Sequence, residues 1–330
     1  MKVFYFLLFT FYCCNINAQY APQAGLPGST AISASSSVFT AWATQCSVQR
    51  GFMDIANPSL GYASSGDSSL ATGAPDGAVV SLGDSGIAVL TFANPIYNGP
   101  GPDFAVFENG FRNPADSSQA FLELAFVEVS SDGINYFRFP SSSLTQDQVQ
   151  IGNGDYLTAS NLNNLAGSYV AMYGTPFDLQ ELSGISGLDI NNITHVRLID
   201  VVGSVSGHSS HDNAGRIIND PYPTPYPSSG FDLDAVGVIH EVVSVKSIQN
   251  NVSLVVYPNP ATDNIIISIK GNMPAGLSAT LTSITGNILQ QLTLSQTVNT
   301  IPIEQYPAGM YYLVLYDVNG NKWVEKLTKH

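Results

Sequence analysis

The sequence predicts an all-β chain in which a jelly-roll-like antiparallel sandwich is followed by a small Ig-like sandwich. Short apolar runs alternate with polar residues, as in Gly86-Ile-Ala-Val-Leu-Thr-Phe92 and Thr194-His-Val-Arg-Leu-Ile-Asp-Val-Val202. That period of two is the mark of a half-buried strand, and no long run with helical spacing competes with it. Turn formers are plentiful, with 29 Gly and 19 Pro in 330 residues, and only 11% of residues are charged against 44% hydrophobic. This composition suits a secreted β protein and excludes disorder.

The chain opens with one lysine, an apolar run of about a dozen residues and a small residue at Ala18, the pattern of a secretory signal peptide over 1–18. The run is too short for a membrane span. Cys13 and Cys14 would be lipoprotein acceptors only in another context, since Phe11-Tyr12 directly precede them. No other apolar run reaches spanning length, so the mature chain is expected to be soluble. Without the leader one cysteine remains, Cys46. No intramolecular disulfide can form, and a lone thiol packs as a small hydrophobe. The core, or bound metal ions, must hold the fold instead.

Charge divides the chain in two. Residues 19–249 carry 21 Asp+Glu against 6 Lys+Arg, a net of −15, whereas 250–330 carry 4 of each. The acidic part lacks the basic face that nucleic-acid binding needs. Domains are expected at 19–240 and 254–330, with a linker over 241–253.

Along the acidic part, residues 20–45 read as an extended lead-in with Trp42 as first core anchor, and 51–75 as loop. Strands follow at 86–92 and 104–107, separated by the irregular loop Asn98-Gly-Pro-Gly-Pro102. The run Phe121–Ser130 reads as one long strand that turns at Ser131-Asp-Gly133 and returns over 134–139 as a hairpin. Residues 141–168 are loop, 194–202 a strand, and 203–229 a loop over one end of the sandwich. Prolines in Pro221-Tyr-Pro-Thr-Pro-Tyr-Pro227 deny that loop a hydrogen-bonded ladder. Phe231–Ile239 closes the domain. Short strands are expected in the tail at about 264–270, 278–284, 287–294, 310–317 and 321–327.

The tail motifs are Tyr257-Pro-Asn-Pro260, Thr285-Gly-Asn287, Tyr306-Pro-Ala-Gly-Met-Tyr-Tyr-Leu-Val314 and the terminal Lys326-Leu-Thr-Lys329. As a set they resemble the type A C-terminal sorting domain of the type IX secretion system of Bacteroidetes, over 254–330. The resemblance implies a partner, the type IX machinery, and an extracellular or outer-surface destination. In the acidic part, the hairpin Val127–Phe137 resembles discoidin-like, galactose-binding-type jelly rolls. Ala74-Pro-Asp-Gly77 and Leu82-Gly-Asp-Ser-Gly86 fit the opening of such domains, and residues 19–240 resemble an uncharacterised class of bacterial cell-surface proteins. The closing Phe231-Asp-Leu-Asp-Ala-Val236 is similar to the last strand of jelly-roll carbohydrate-binding modules, where an aspartate holds structural calcium.

Independently of that likeness, Asp232 and Asp234 alternate onto one face of an apolar strand, which is costly without a positive neighbour. Calcium takes 6–8 oxygen ligands and suits an acidic, cysteine-poor extracellular domain. The candidate ligands are Asp103, Glu108, Asp232 and Asp234, with Asp200 a weaker one. His208 and His211 lie in a Gly/Ser loop without a second ligand pair, so they are read as solvated. Tyr173, Tyr222 and Tyr226 are candidate stacking platforms for a glycan. No Gly-x-Ser-x-Gly elbow occurs, and Cys46 has no evident partner. The reading is a secreted, non-enzymatic binding protein for a glycan or other surface ligand. A structural adhesin with protein contacts only, and a polysaccharide-degrading enzyme, are the alternatives.

Overall fold

The computed structural model describes residues 20–242, 253–270, 273, 275–318 and 322–330. The expected signal peptide lies outside them, as does most of the expected linker. Two compact units result, Met1–Val243 and Ser244–His330. Among the described residues the helical segments are four short 3-10 turns, and no helix is long and apolar enough to cross a membrane.

After the edge strand Gln45–Gln49, six strands of five residues or more build the first unit: β1 (Ile87–Ile96), β2 (Phe104–Glu108), β3 (Ala125–Ser130), β4 (Tyr173–Phe177), β5 (Ile193–Asp200) and β6 (Asp232–Val238). Successive strands belong to alternate sheets, β1, β3 and β5 to one and β2, β4 and β6 to the other. The first sheet runs Phe137–Arg138, β3, β5, β1, Gln45–Gln49, and the second Ile32–Ser33, β4, β2, β6, Ala41–Trp42. The pairings are antiparallel. This is the wiring of a jelly-roll-like sandwich.

Alternation decides what lies between the sheets. Leu90, Val127, Val129, Val196 and Leu198 from one sheet share a buried core with Phe104, Val106, Phe177, Val236 and Val238 from the other. Phe104 stacks on Phe177 with centroids 5.3 Å apart, and Phe139 meets both edge-on at 5.9 and 5.0 Å. Each fully buried ring removes some 150–250 Å² from water, so this trio is a main anchor of the fold. Trp42 takes a different place from the one expected. It is half-buried with Phe39 and Phe107 in a smaller cluster that also includes Ala105 and Ala235. Cys46 is free and partly buried, and burial pushes its thiol up to about 12, so it carries no thiolate at neutral pH.

The hairpin after β3 forms as read, with Phe137 opposite Val129 and Arg138 opposite Glu128. Its returning strand shrinks to Phe137–Arg138 because Asp132 takes the amides of Ile134 and Asn135, both at 2.8 Å. Those bonds hold the exposed Asp132 carboxyl well below its usual range. On the outer face Glu128 accepts from Arg138 at 2.9 Å and from Arg197 at 2.6 Å.

The expected single strand Phe121–Ser130 is broken. Gln119–Phe121 pairs with Phe111–Arg112 and with Leu157–Thr158 in a separate small sheet, and β3 begins only at Ala125. Between them Leu124 gives its amide to Asp220 Oδ2 at 2.9 Å and takes the amide of Val201 at 3.0 Å on its carbonyl. The break also resolves a conflict of phase: Glu123 and Glu128, five residues apart, cannot share a face of an uninterrupted strand.

The second unit has two sheets. β7 (Ser253–Tyr257), β8 (Asn264–Lys270) and β11 (Val298–Pro302) form one; β9 (Ser278–Ser283), β10 (Ile288–Thr293), β12 (Gly309–Tyr316) and β13 (Lys322–Lys329) form the other. Ile265, Ile267, Leu281, Ile301, Leu313 and Leu327 are buried in its core. Strand β11 is additional to the sequence reading, since Val298-Asn-Thr-Ile-Pro302 buries one side chain, Ile301, and carries almost no periodic signal. In the Tyr257-Pro-Asn-Pro260 motif, Asn259 bonds the Lys326 carbonyl at 2.6 Å and the Thr328 amide at 2.9 Å, fastening the motif to the last strand.

Candidate functional site

Strand β2 ends at Glu108 and its neighbour β6 begins at Asp232, so their pairing brings two acids to one end of the sandwich. Leu233 sits opposite Glu108, and the register then slips before Ala235. That bulge separates the two aspartates expected to act together. Asp232 accepts from Ser81 Oγ on one oxygen and from Asn109 Nδ2, at 3.0 Å, on the other. Asp234 is satisfied elsewhere, by the amides of Asp76 and Gly77 at 3.2 and 3.1 Å. Glu108 is 1% exposed; its Oε2 takes the Gly110 amide at 2.7 Å, while its buried Oε1 has no hydrogen-bond partner among the described residues.

The strand break adds an acid the sequence reading passed over. Glu123 is buried, lines the same cavity as Asp232, and among the described residues receives no hydrogen bond on its carboxylate. Beyond it lie Asp220, Asp200 and Asp84. Asp200 takes the amides of Ser85 and Phe231 at 3.0 and 2.7 Å, and Asp84 takes that of Ile55 at 2.7 Å.

Among the described residues, no arginine forms an ion pair with these buried acids. Arg138 and Arg197 serve Glu128, Arg216 serves Asp212, and Arg112 donates to the Ala24 carbonyl. Arg50 lies near enough to Asp232 to be felt, yet its guanidinium is spent on the carbonyls of Ser65, Gly66 and Ser81. Burial therefore raises the carboxyls of Asp84, Glu108, Glu123, Asp200, Asp220, Asp232 and Asp234, Asp84 to about 6. Mutual repulsion adds to it, from Asp232 on Glu108 and Glu123 and from Asp220 on Asp200.

Glu123 and Asp232 lie at a cavity of about 260 Å³ whose walls include Asn109, Phe111, Phe121 and Tyr226. Phe111 and Phe121 stack at 5.1 Å, positioned by their direct pairing across the small sheet. Phe111 is 55% exposed and Tyr226 53%, large values for aromatic rings beside a pocket.

Of the residues singled out from sequence, Asp232 and Tyr226 share this cavity, and Glu108 lies near enough to Asp232 to feel its charge. Asp103 must be removed from the group. It precedes β2 while Glu108 ends it, so five residue steps of about 3.3 Å separate them. Asp103 instead takes the amides of Gly99 and Leu179, both at 2.7 Å, and contacts His240 Nδ1 at 2.7 Å. Replacing it, as in Asp103→Ala, strands the buried Leu179 amide and is expected to cost about 1–3 kcal/mol in urea unfolding. Tyr222 is buried, with its hydroxyl on Asp54 at 2.8 Å, and Tyr173 is half-buried in β4 against a core that includes Tyr169 and Val170. Neither offers a free ring face at the cavity. His208 and His211 are exposed, as read. Among the described residues no three His, Cys, Asp or Glu side chains already converge at metal-binding distance.

Comparison with known proteins bears on the tail. Residues 255–330 match the model of the secretion system C-terminal sorting domain. The chain thus carries the tail recognised by the type IX machinery, and its destination is the cell exterior or outer surface. No curated protein matches the chain. Among solved structures it is similar to the BSP domain of a biofilm-associated protein, at 9% identity and a TM-score of 0.22, over 74% of this chain and 48% of that one. It is also similar to a β-glucuronidase from Ruminococcus gnavus in complex with D-glucaro-d-lactam, at 12% identity and a TM-score of 0.19, over 74% and 36%. This chain spans less than half the length of both. Similarity this loose carries no argument about the site.

Proposed function

We propose that the acidic sandwich of this type IX-exported protein is a non-enzymatic binding module. It recognises a neutral glycan at the cavity between Phe111, Phe121 and Tyr226, with calcium held beside it by Glu108, Glu123 and Asp232. The observation that supports this reading is the pairing of exposed aromatic faces with hydrogen-bonding acids and amides in one concavity. A sugar ring presents the complementary surface, apolar C–H faces for the rings and hydroxyl edges for Glu123, Asp232 and Asn109. Calcium is supported by the donor set: hard anionic oxygens, one of them the unpartnered Glu108 Oε1, with the arginines of the unit engaged elsewhere. When bound it would neutralise repulsion among these acids.

The test is a glycan array probed with the chain lacking residues 1–18, in calcium and in EDTA. Binding is expected to neutral glycans, and Phe111→Ala should weaken it at least about tenfold, the loss of roughly 1.4 kcal/mol or more that removing an aromatic anchor brings. No binding to any glycan would overturn the reading. Release of new reducing ends from a bound glycan would replace it with a hydrolase, for which Glu123 and Asp232 would be the acids to examine.

A further inference from the structure

A second, larger cavity of about 450 Å³ is lined by Gln119, Gln150, Asp155, Tyr156, Thr158 and Asn161 among others. The same two pieces of chain form walls of both. Gln119 and Phe121, ends of one three-residue strand, face the larger and the smaller cavity respectively. The loop that follows Ile151 gives Asn153 to the smaller and Asp155 and Tyr156 to the larger. Between them stands an aromatic ridge, where Tyr156 meets the exposed Phe111 edge-on with centroids 6.4 Å apart.

From this continuity, and resting on the glycan reading above, we infer that the site takes an extended stretch of a neutral oligosaccharide across both cavities, with the Phe111–Tyr156 ridge under the linkage between them. Size supports it. Pockets that enclose a whole ligand of drug size occupy about 300–1,000 Å³. The smaller cavity, at about 260 Å³, falls below that range and suits a single sugar unit. Chemistry supports it too. The larger cavity offers amides and hydroxyls from Gln119, Thr158 and Asn161, which match sugar hydroxyls without demanding charge. The acids at the smaller cavity disfavour an anionic polymer.

The chain that leads into the dividing loop, residues 146–151, is braced. Gln150 Nε2 reaches the Gly203 carbonyl at 3.0 Å and Asn219 Oδ1 at 3.1 Å, and the Ile151 amide also donates to Asn219 Oδ1 at 3.0 Å. Asn219 in turn holds the carbonyls of Gln146 and Val149 at 2.7 and 2.8 Å. A groove with fixed walls loses little ordering entropy when a chain lies in it. Two subsites joined by a covalent ligand then act with the high effective concentration of a linked pair.

The experiment is calorimetry on the full chain lacking residues 1–18, using size-fractionated oligomers of one to eight units from whichever neutral polysaccharide gives an array signal. Affinity is expected to rise at least about tenfold between the shortest binding oligomer and the hexamer, then level off. Asn161→Ala should remove most of that gain and leave the shortest oligomer unaffected, while Phe111→Ala weakens every length. Equal affinity at all lengths, or an Asn161→Ala variant with the full gain, overturns the extended groove while the single-cavity reading stands. Absence of binding at every length overturns both.

Discussion

In EDTA, the melting midpoint of the first unit is expected to rise by about 5–10 °C as pH is lowered from 7.5 to 5, and calcium at pH 7.5 should recover much of that rise. The direction follows from the buried acids. Each has a carboxyl raised above its ordinary value, Asp84 from 3.8 to about 6. Such a group holds its proton more tightly folded than unfolded. Its stabilisation is complete below the unfolded value near 4 and is lost as pH rises through the folded value. For Asp84, 4% exposed, lowering the pH to 5 takes it about one unit below its folded value and realises about 1.4 kcal/mol, and a domain of this size moves its midpoint about 2–4 °C per kcal/mol. Glu108, Glu123, Asp200 and Asp220, raised further, push in the same direction.

Two companion measurements separate calcium from general salt effects. Glu123→Gln removes a charge and no hydrogen bond, so in EDTA at pH 7.5 it should melt above the parent chain and respond less to calcium. Because protonated carboxyls must ionise to bind the cation, binding should release protons, seen as a calorimetric enthalpy that depends on buffer ionisation. A midpoint unchanged by EDTA, with no proton release, would exclude calcium from this cluster. A midpoint that falls between pH 7.5 and 5 would contradict the raised carboxyls themselves.

The sandwich was legible because period-two patterning is a local property: β5 and the first half of β1 follow it closely, and β2 stood out as a short apolar run between turn formers. The acidic site was legible only in part. Asp232 and Glu108 stood out as charges in apolar strands, and the pairing of β2 with β6 brings them to the same end of the sandwich. Asp234 shared a face with Asp232 only for a regular strand, and the bulge before Ala235 cancelled that expectation. Asp103 looked equivalent to Glu108 because they bracket one strand, yet opposite ends of a strand face different loops. Glu123 was hidden inside Leu122-Glu-Leu-Ala-Phe-Val-Glu-Val129, and its signal was the phase conflict with Glu128. Phe111 and Phe121 depend on a pairing between strands of two and three residues, too short for any periodicity to show.

The break that brings Glu123 to the cavity packs against Gly167, and Gly167→Ala is expected to cost on the order of 3 kcal/mol or more. Gly167 follows Leu165–Ala166, which pairs with the start of β3. It adopts φ +80°, and a Cβ there would lie 1.9 Å from the Glu123 carbonyl oxygen. The left-handed conformation alone costs a non-glycine residue about 1–2 kcal/mol. The clash adds more, because the obstacle is backbone whose next residue, Leu124, is fixed to Asp220 and Val201 and cannot swing aside. Gly73→Ala is the matched control, with φ +85° and nothing within 4 Å of its Cβ, so it should show the conformational cost alone. The difference between the two variants in urea unfolding measures how rigidly the Glu123 carbonyl is held. Since relief of the clash must displace the Glu123 backbone or the Gly167 segment against it, Gly167→Ala should also weaken the calcium response expected of Glu123 under conditions where it is still folded. Equal costs for the two variants, with the calcium response intact, would show that the break is compliant and that Glu123 is not held in place by this contact.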